Sequence, residues 1–121
     1  MLYFETQTKN KTKKILLKKH KMATGISQAI GLMFSRKKKF DFALIFDRAY
    51  ESKINSSIHM FFVFYKITVI FLNNKKEVVD IKQNLKPFCL YVPKRKARYV
   101  IEVPNKTKLL SLRLKDKVDW K

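Results

Sequence analysis

The sequence predicts a mainly β domain of the α+β kind, compact and β-barrel-like, with one or two short helices. Three observations carry that prediction. A chain of 121 residues suits one core, residues 1–121, with residues 13–120 its main body. Apolar residues make up 46% of it, enough to bury a core. They gather in about seven short runs of β-branched and aromatic type, separated by turn chemistry.

Taken in order, LYFETQ (2–7) and KKILLKK (13–19) flank a polar TKNKT and read as a hairpin turning near Asn10. In ATGISQAIGLMF, Thr24 can cap a helix, and Ile26, Ile30 and Met33 recur at helical spacing, so a short helix is expected over about 25–33. Gly31 is a poor helix former and marks a close backbone approach. SRKKKFDF is a basic loop, ALIF (43–46) a strand, and DRAYESKINS a polar connection. SIHMFFVFYKITVIFL (57–72) is too short and too interrupted, by His59, Lys66 and Thr68, to cross a membrane as a helix. Its residue types favour strands. Alternation puts Phe61, Val63, Tyr65, Ile67, Val69 and Phe71 on one face of a strand, or of two strands bent at Lys66. The opposite face, with Phe62 and Phe64, is expected to be nearly as buried. NNKK (73–76) is a turn and EVVDIKQ (77–83) a returning strand. Residues 84–97 hold two prolines and no clean period, which reads as a long loop. RYVIEV (98–103) is a strand, Asn105 caps a short helix turning Leu109, Leu110 and Leu112 inward, and KVDW (117–120) closes the chain as a strand.

Three segments in fixed order, GLMFSRK (31–37), SIHMFFVFYKITVIFLNNKKEVVDI (57–81) and NLKPFCLYVPKRKARYVIEVP (84–104), resemble the small uncharacterised proteins of domain of unknown function family 192. The resemblance covers about residues 13–120 and implies a β-rich, barrel-like fold with no established activity. Two places depart from the expected pattern. Lys66-Ile67-Thr68 stands where many members are expected to carry Pro-Ile-Asp, and Gln28 stands where many carry Arg. A polar site built on those residues would be altered here.

Charge is the strongest functional signal. Twenty-eight Lys and Arg face nine Asp and Glu, giving a net charge of +19 and a pI near 10.2. Such an excess repels itself and favours a polyanionic partner. A lysine-rich composition usually brings matching glutamate, but only four glutamates are present. The basic residues cluster as Lys13, Lys14, Lys18, Lys19 and Lys21 around the first hairpin, and as Arg36, Lys37, Lys38 and Lys39 in one loop. Lys94, Arg95, Lys96 and Arg98 form a third group beside Tyr91 and Tyr99, which could stack on bases. Short helices argue against a DNA recognition helix. Structured RNA is the expected partner, and rRNA in a ribosomal particle, alongside neighbouring ribosomal proteins, is the setting suggested by analogy.

No catalytic residue, metal or cofactor is expected. The carboxylates are scattered, two glycines are too few for a phosphate loop, and Cys89 has no second cysteine for redox work. The N-terminus lacks the order of a secretory signal, so the expected location is cytoplasmic. Two alternatives remain: a small-molecule-binding or enzymatic β-barrel with its site near His59, and attachment to an anionic membrane surface through the same lysines.

Overall fold

The structure is a computed structural model that describes residues 1–5, 13–24, 31–109 and 112–121. Ten strands carry it: β1 (Leu2–Glu5), β2 (Lys13–Leu17), β3 (His20–Met22), β4 (Ala43–Ser52), β5 (Ile58–His59), β6 (Ile67–Leu72), β7 (Val78–Leu85), β8 (Leu90–Tyr91), β9 (Ala97–Pro104) and β10 (Lys117–Trp120). The helical element among the described residues is one 3-10 turn, Lys37–Lys39.

A five-stranded sheet, ordered β3-β4-β9-β6-β7, forms the centre. Residues alternate across it, so two apolar clusters sit on its two faces. Leu44, Phe46, Val69, Phe71 and Val100 belong to one, where Met60, Val63 and Tyr65 from the loop before β6 cover them. Ala43, Ile45, Ile70, Leu72 and Ile101 belong to the other, covered by Leu2, Phe4 and Val118 of a three-stranded sheet ordered β10-β1-β2. Every residue of β6 is buried. Burial on both faces accounts for its almost unbroken apolar run. Thr68, the polar member, is satisfied by Asn105 at 3.1 Å.

The mainly β class holds, but the barrel does not close: the sheets stay open, with β3 and β7 at the edges of the largest. Of the one strand, or two strands bent at Lys66, expected over 60–72, only the part after Lys66 forms. Only Ile67–Leu72 is a long strand there, and the chain turns at Phe61 and Phe62, with Phe62 at φ +59°. That left-handed corner breaks the two-residue period, so Phe61, Phe62 and Phe64 are exposed instead of buried. β4 runs six residues beyond ALIF, because its far end still finds main-chain partners on β9, through Ser52 opposite Ala97. The expected loop 84–97 contains β8, which pairs with β5.

Residues 25–30 of the helix expected over 25–33, the Asn10 turn and Leu110 lie outside the described residues. Residues 31–34 form a turn, with Gly31 at φ +56°. Residues 105–109 form no helix. Asn105 does not cap one; it accepts hydrogen bonds from Thr68 and from the Asn84 N–H. No helix among the described residues is long and apolar enough to cross a membrane.

Candidate nucleic-acid interface and an adjoining cavity

Three loops meet on the side of the sheet covered by Met60 and Val63, and each turns its corner on a phenylalanine. Phe34, Phe62 and Phe88 have φ of +61°, +59° and +62°. A side chain in this left-handed region costs roughly 1–2 kcal/mol, and the cost persists only where surrounding bonds impose it. Here they are main-chain bonds between the loops. The Phe34 N–H donates to the Phe62 carbonyl at 2.8 Å, and the Phe88 N–H donates to the Met60 carbonyl at 2.7 Å. The Met60 N–H in turn donates to the Cys89 carbonyl at 2.7 Å. Met60 itself is fully buried and anchors the group in the core.

The rings carried by these corners face outward. Phe34 stacks on Phe62 with centroids 4.9 Å apart, while Phe88 meets Phe62 and Phe64 edge-on at 6.1 and 5.6 Å. Phe34, Phe62, Phe64 and Phe88 are 67%, 45%, 60% and 51% exposed, values far from those of a core. Exposed apolar rings that touch one another mark an interaction surface. Arg36, Lys37, Lys66 and Lys86, all exposed, lie within three residues of one of these rings along the chain.

The basic residues singled out in the sequence fall into two groups. Lys18, Arg36, Lys37, Lys38, Lys39, Lys94, Arg95 and Lys96 are exposed on loops and the 3-10 turn. Lys13 and Lys14 are exposed at the start of β2, with Lys13 3.9 Å from Glu5. Lys19 pairs with Asp41 at 3.0 Å, and Lys21 lies over the Phe42 ring at 4.4 Å. Arg98 and Tyr91 are tied more firmly. Arg98 donates twice to Asp47, at 2.9 and 3.2 Å, and this pairing holds the Asp47 carboxyl below its usual range. The Tyr91 hydroxyl donates to Asp80 at 2.5 Å; burial first, then Asp80, push its pKa up to about 12. Tyr99 is buried edge-on against Trp120 and presents no face to a base.

His59 is exposed, stacked on Phe61 at 5.2 Å, and sits at the rim of a cavity of about 320 Å³ that Arg48 and Glu102 also line. Burial pushes the Glu102 carboxyl up to about 8. Among the described residues no three His, Cys, Asp or Glu gather as metal ligands would.

Sequence reasoning missed the ring cluster and Glu102. Phe62 and Phe64 look like core because period-2 alternation assumes an unbroken strand, while Phe34 and Phe88 fall outside any predicted strand and carry no signal of their own. Glu102 was legible: it shares the alternation phase of Val100, whose side chain points into the core.

Fold and surface together define a compact, mainly β, strongly basic domain with an exposed aromatic cluster and one acid-floored cavity. The chain belongs to domain of unknown function family 192, described as an uncharacterised ACR, which it matches over residues 5–120. A UPF0127 protein of Pyrococcus horikoshii is 45% identical over 96 residues, 78% of this chain and 80% of that one. A UPF0127 protein of Thermococcus sibiricus is 40% identical over 114 residues, 92% of this chain and 72% of that one. A crystal structure of a protein of unknown function from Novosphingobium aromaticivorans has the same fold, with a TM-score of 0.74 at 20% identity, covering 98% of this chain and 83% of that one.

Proposed function

We propose that this is a cytoplasmic, non-enzymatic RNA-binding protein. Its basic loops hold phosphates, and Phe34, Phe62, Phe64 and Phe88 stack on unpaired bases. rRNA in a ribosomal particle, as a component or a close associate, is the setting that suits a domain basic on many loops. The observation that carries the reading is the exposed ring cluster, with Arg36, Lys37, Lys66 and Lys86 exposed within three residues of a ring along the chain. Aromatic faces beside cations are what single-stranded RNA needs, because every base has a face to stack and every nucleotide a phosphate to pair. The surplus charge supports it too: four ion pairs join described residues, which hold 26 of the 28 Lys and Arg.

Ribosomes sedimented from cells at rising salt test the setting. Co-migration at low salt and release as salt climbs is expected, while a protein absent from the particles at physiological salt refutes the ribosomal partner. The left-handed corners offer a second test, of the rings themselves. Glycine adopts their φ without strain, so Phe34→Gly, Phe62→Gly and Phe88→Gly remove rings at little cost to the fold. Each base stack removed should weaken binding to single-stranded RNA by about 1–3 kcal/mol. Unchanged RNA affinity would refute stacking on the rings, and flotation with anionic liposomes that RNA does not compete would assign the surface to a membrane instead.

A further inference from the structure

The cavity beside the rings is built by strand register. Leu44 of β4 lies opposite Glu102 of β9, Glu102 lies opposite Val69 of β6, and Phe46 lies opposite Val100. These side chains share one face of the sheet, and Arg48 follows two residues beyond Phe46 with the same phase. Glu102 is therefore an acid on the central strand with apolar neighbours on both sides. It is 4% exposed, and no hydrogen bond reaches its carboxyl from the described residues. A buried carboxyl without a donor is costly, and this one lines an open space rather than a packed wall. Gly31 closes one side: a Cβ there would stand 3.5 Å from Glu102 Oε1 and 3.5 Å from the Phe46 ring.

Arg48 stands at the other end, half-buried. Its Nε donates to the Asn55 carbonyl at 2.9 Å, and the Asn55 amide donates back to the Arg48 carbonyl at 3.0 Å. This clasp fixes the base of the guanidinium and leaves both Nη groups without an acceptor among the described residues. Leu32, Phe46, Ile58, Val63 and Val100 form the apolar wall between the carboxyl and the guanidinium. Four residues of strand separate Arg48 from the position opposite Glu102, roughly 13 Å, and both side chains reach inward from those ends.

An acid lacking a donor, a base with unused donors and an apolar wall between them are complementary to one kind of molecule. We propose that the cavity binds a small amphoteric compound, an ammonium and a carboxylate joined by a short apolar segment, with Glu102 taking the ammonium and Arg48 the carboxylate. An ammonium brings three donors to Glu102, which gives up the proton that burial holds on it to become the paired carboxylate, and the guanidinium fork matches the ligand's carboxylate. Water exclusion by the wall strengthens both pairs. The site owes nothing to RNA and stands or falls separately from that function.

Calorimetric titration of the intact protein with glycine, γ-aminobutyrate, ε-aminocaproate and ω-aminocaprylate, and with hexylamine and hexanoate, tests it. Affinity should rise from glycine to ε-aminocaproate, and hexylamine and hexanoate should each bind at least about tenfold more weakly than ε-aminocaproate. Glu102→Gln and Arg48→Met should each lose about tenfold for ε-aminocaproate, with near-ultraviolet circular dichroism confirming the fold. No saturable binding of any member at millimolar concentration overturns the proposal. So does equal binding of hexylamine, of hexanoate and of ε-aminocaproate, a comparison within the wild type that needs no variant to fold.

Discussion

Replacing Glu102 by glutamine keeps the shape of the side chain and removes its titration. Burial raises this carboxyl from 4.5 to about 8, so the folded state holds the proton more tightly than the unfolded chain does. Stability from that proton is complete below the unfolded value and is lost as pH rises toward the folded one. Each unit is worth about 1.36 kcal/mol, so the wild type should lose on the order of 3 kcal/mol between about pH 4.5 and pH 7. The carboxyl is buried but lines the cavity, and water entering there can only reduce this loss. Arg48, His59 and Tyr65 are the other titratable or charged groups around it. They are present in both proteins, so the difference between wild type and Glu102→Gln isolates the carboxyl. Urea denaturation of both at several pH values measures it: the midpoints should nearly agree at about pH 4.5 and diverge as pH rises, with the variant the more stable. Parallel curves, or a wild type that gains on the variant as pH rises, would refute a buried carboxyl without a donor.

Other changes separate packing from surface. Phe71→Ala removes a fully buried ring from the core and should cost about 3–5 kcal/mol in urea denaturation; Phe62→Ala, at 45% exposure, should cost less than about 1 kcal/mol. Arg95→Ser with Lys96→Ser should leave the thermal midpoint unchanged while reducing the salt dependence of RNA binding, by about 0.7 in the log–log slope for each phosphate that is no longer neutralised. Asp47→Asn should flatten the acid limb of the stability curve. Arg98 holds the Asp47 carboxyl low, so its contribution is present above the unfolded pKa and lost as pH falls through the folded one; an unchanged acid limb would count against that pairing.

The central sheet is legible in the sequence because β6, β7 and β9 carry the residues that suit a surface buried on one or both faces. Ile67 to Leu72 shows this most plainly. The terminal pairing of β1 with β10 is not legible, since it joins Leu2 to Trp120 across the whole chain and no local pattern encodes it. Phe62 and Phe64 look like core in the sequence because hydrophobicity cannot tell a strand from a loop turned at left-handed φ. The carbonyls of Met60 and Phe62, which hold Phe88 and Phe34 there, come from a distant part of the chain. The basic loops were legible as charge, but charge alone does not show that Arg98 and Tyr91 are bound to Asp47 and Asp80. The cavity needed the register of β4 against β9, since only there do Glu102, Leu44 and Phe46 come to one face.

Titration of the wild type and of the combined Phe34→Gly, Phe62→Gly and Phe88→Gly variant with a single-stranded RNA, across a salt series, tests the RNA interface most directly. The wild type should bind at physiological salt with a steep negative dependence on salt. The variant should keep that slope, because its lysines are intact, and lose affinity uniformly. A wild type with no measurable affinity at physiological salt, or a variant that binds as tightly as the wild type, would contradict the interface.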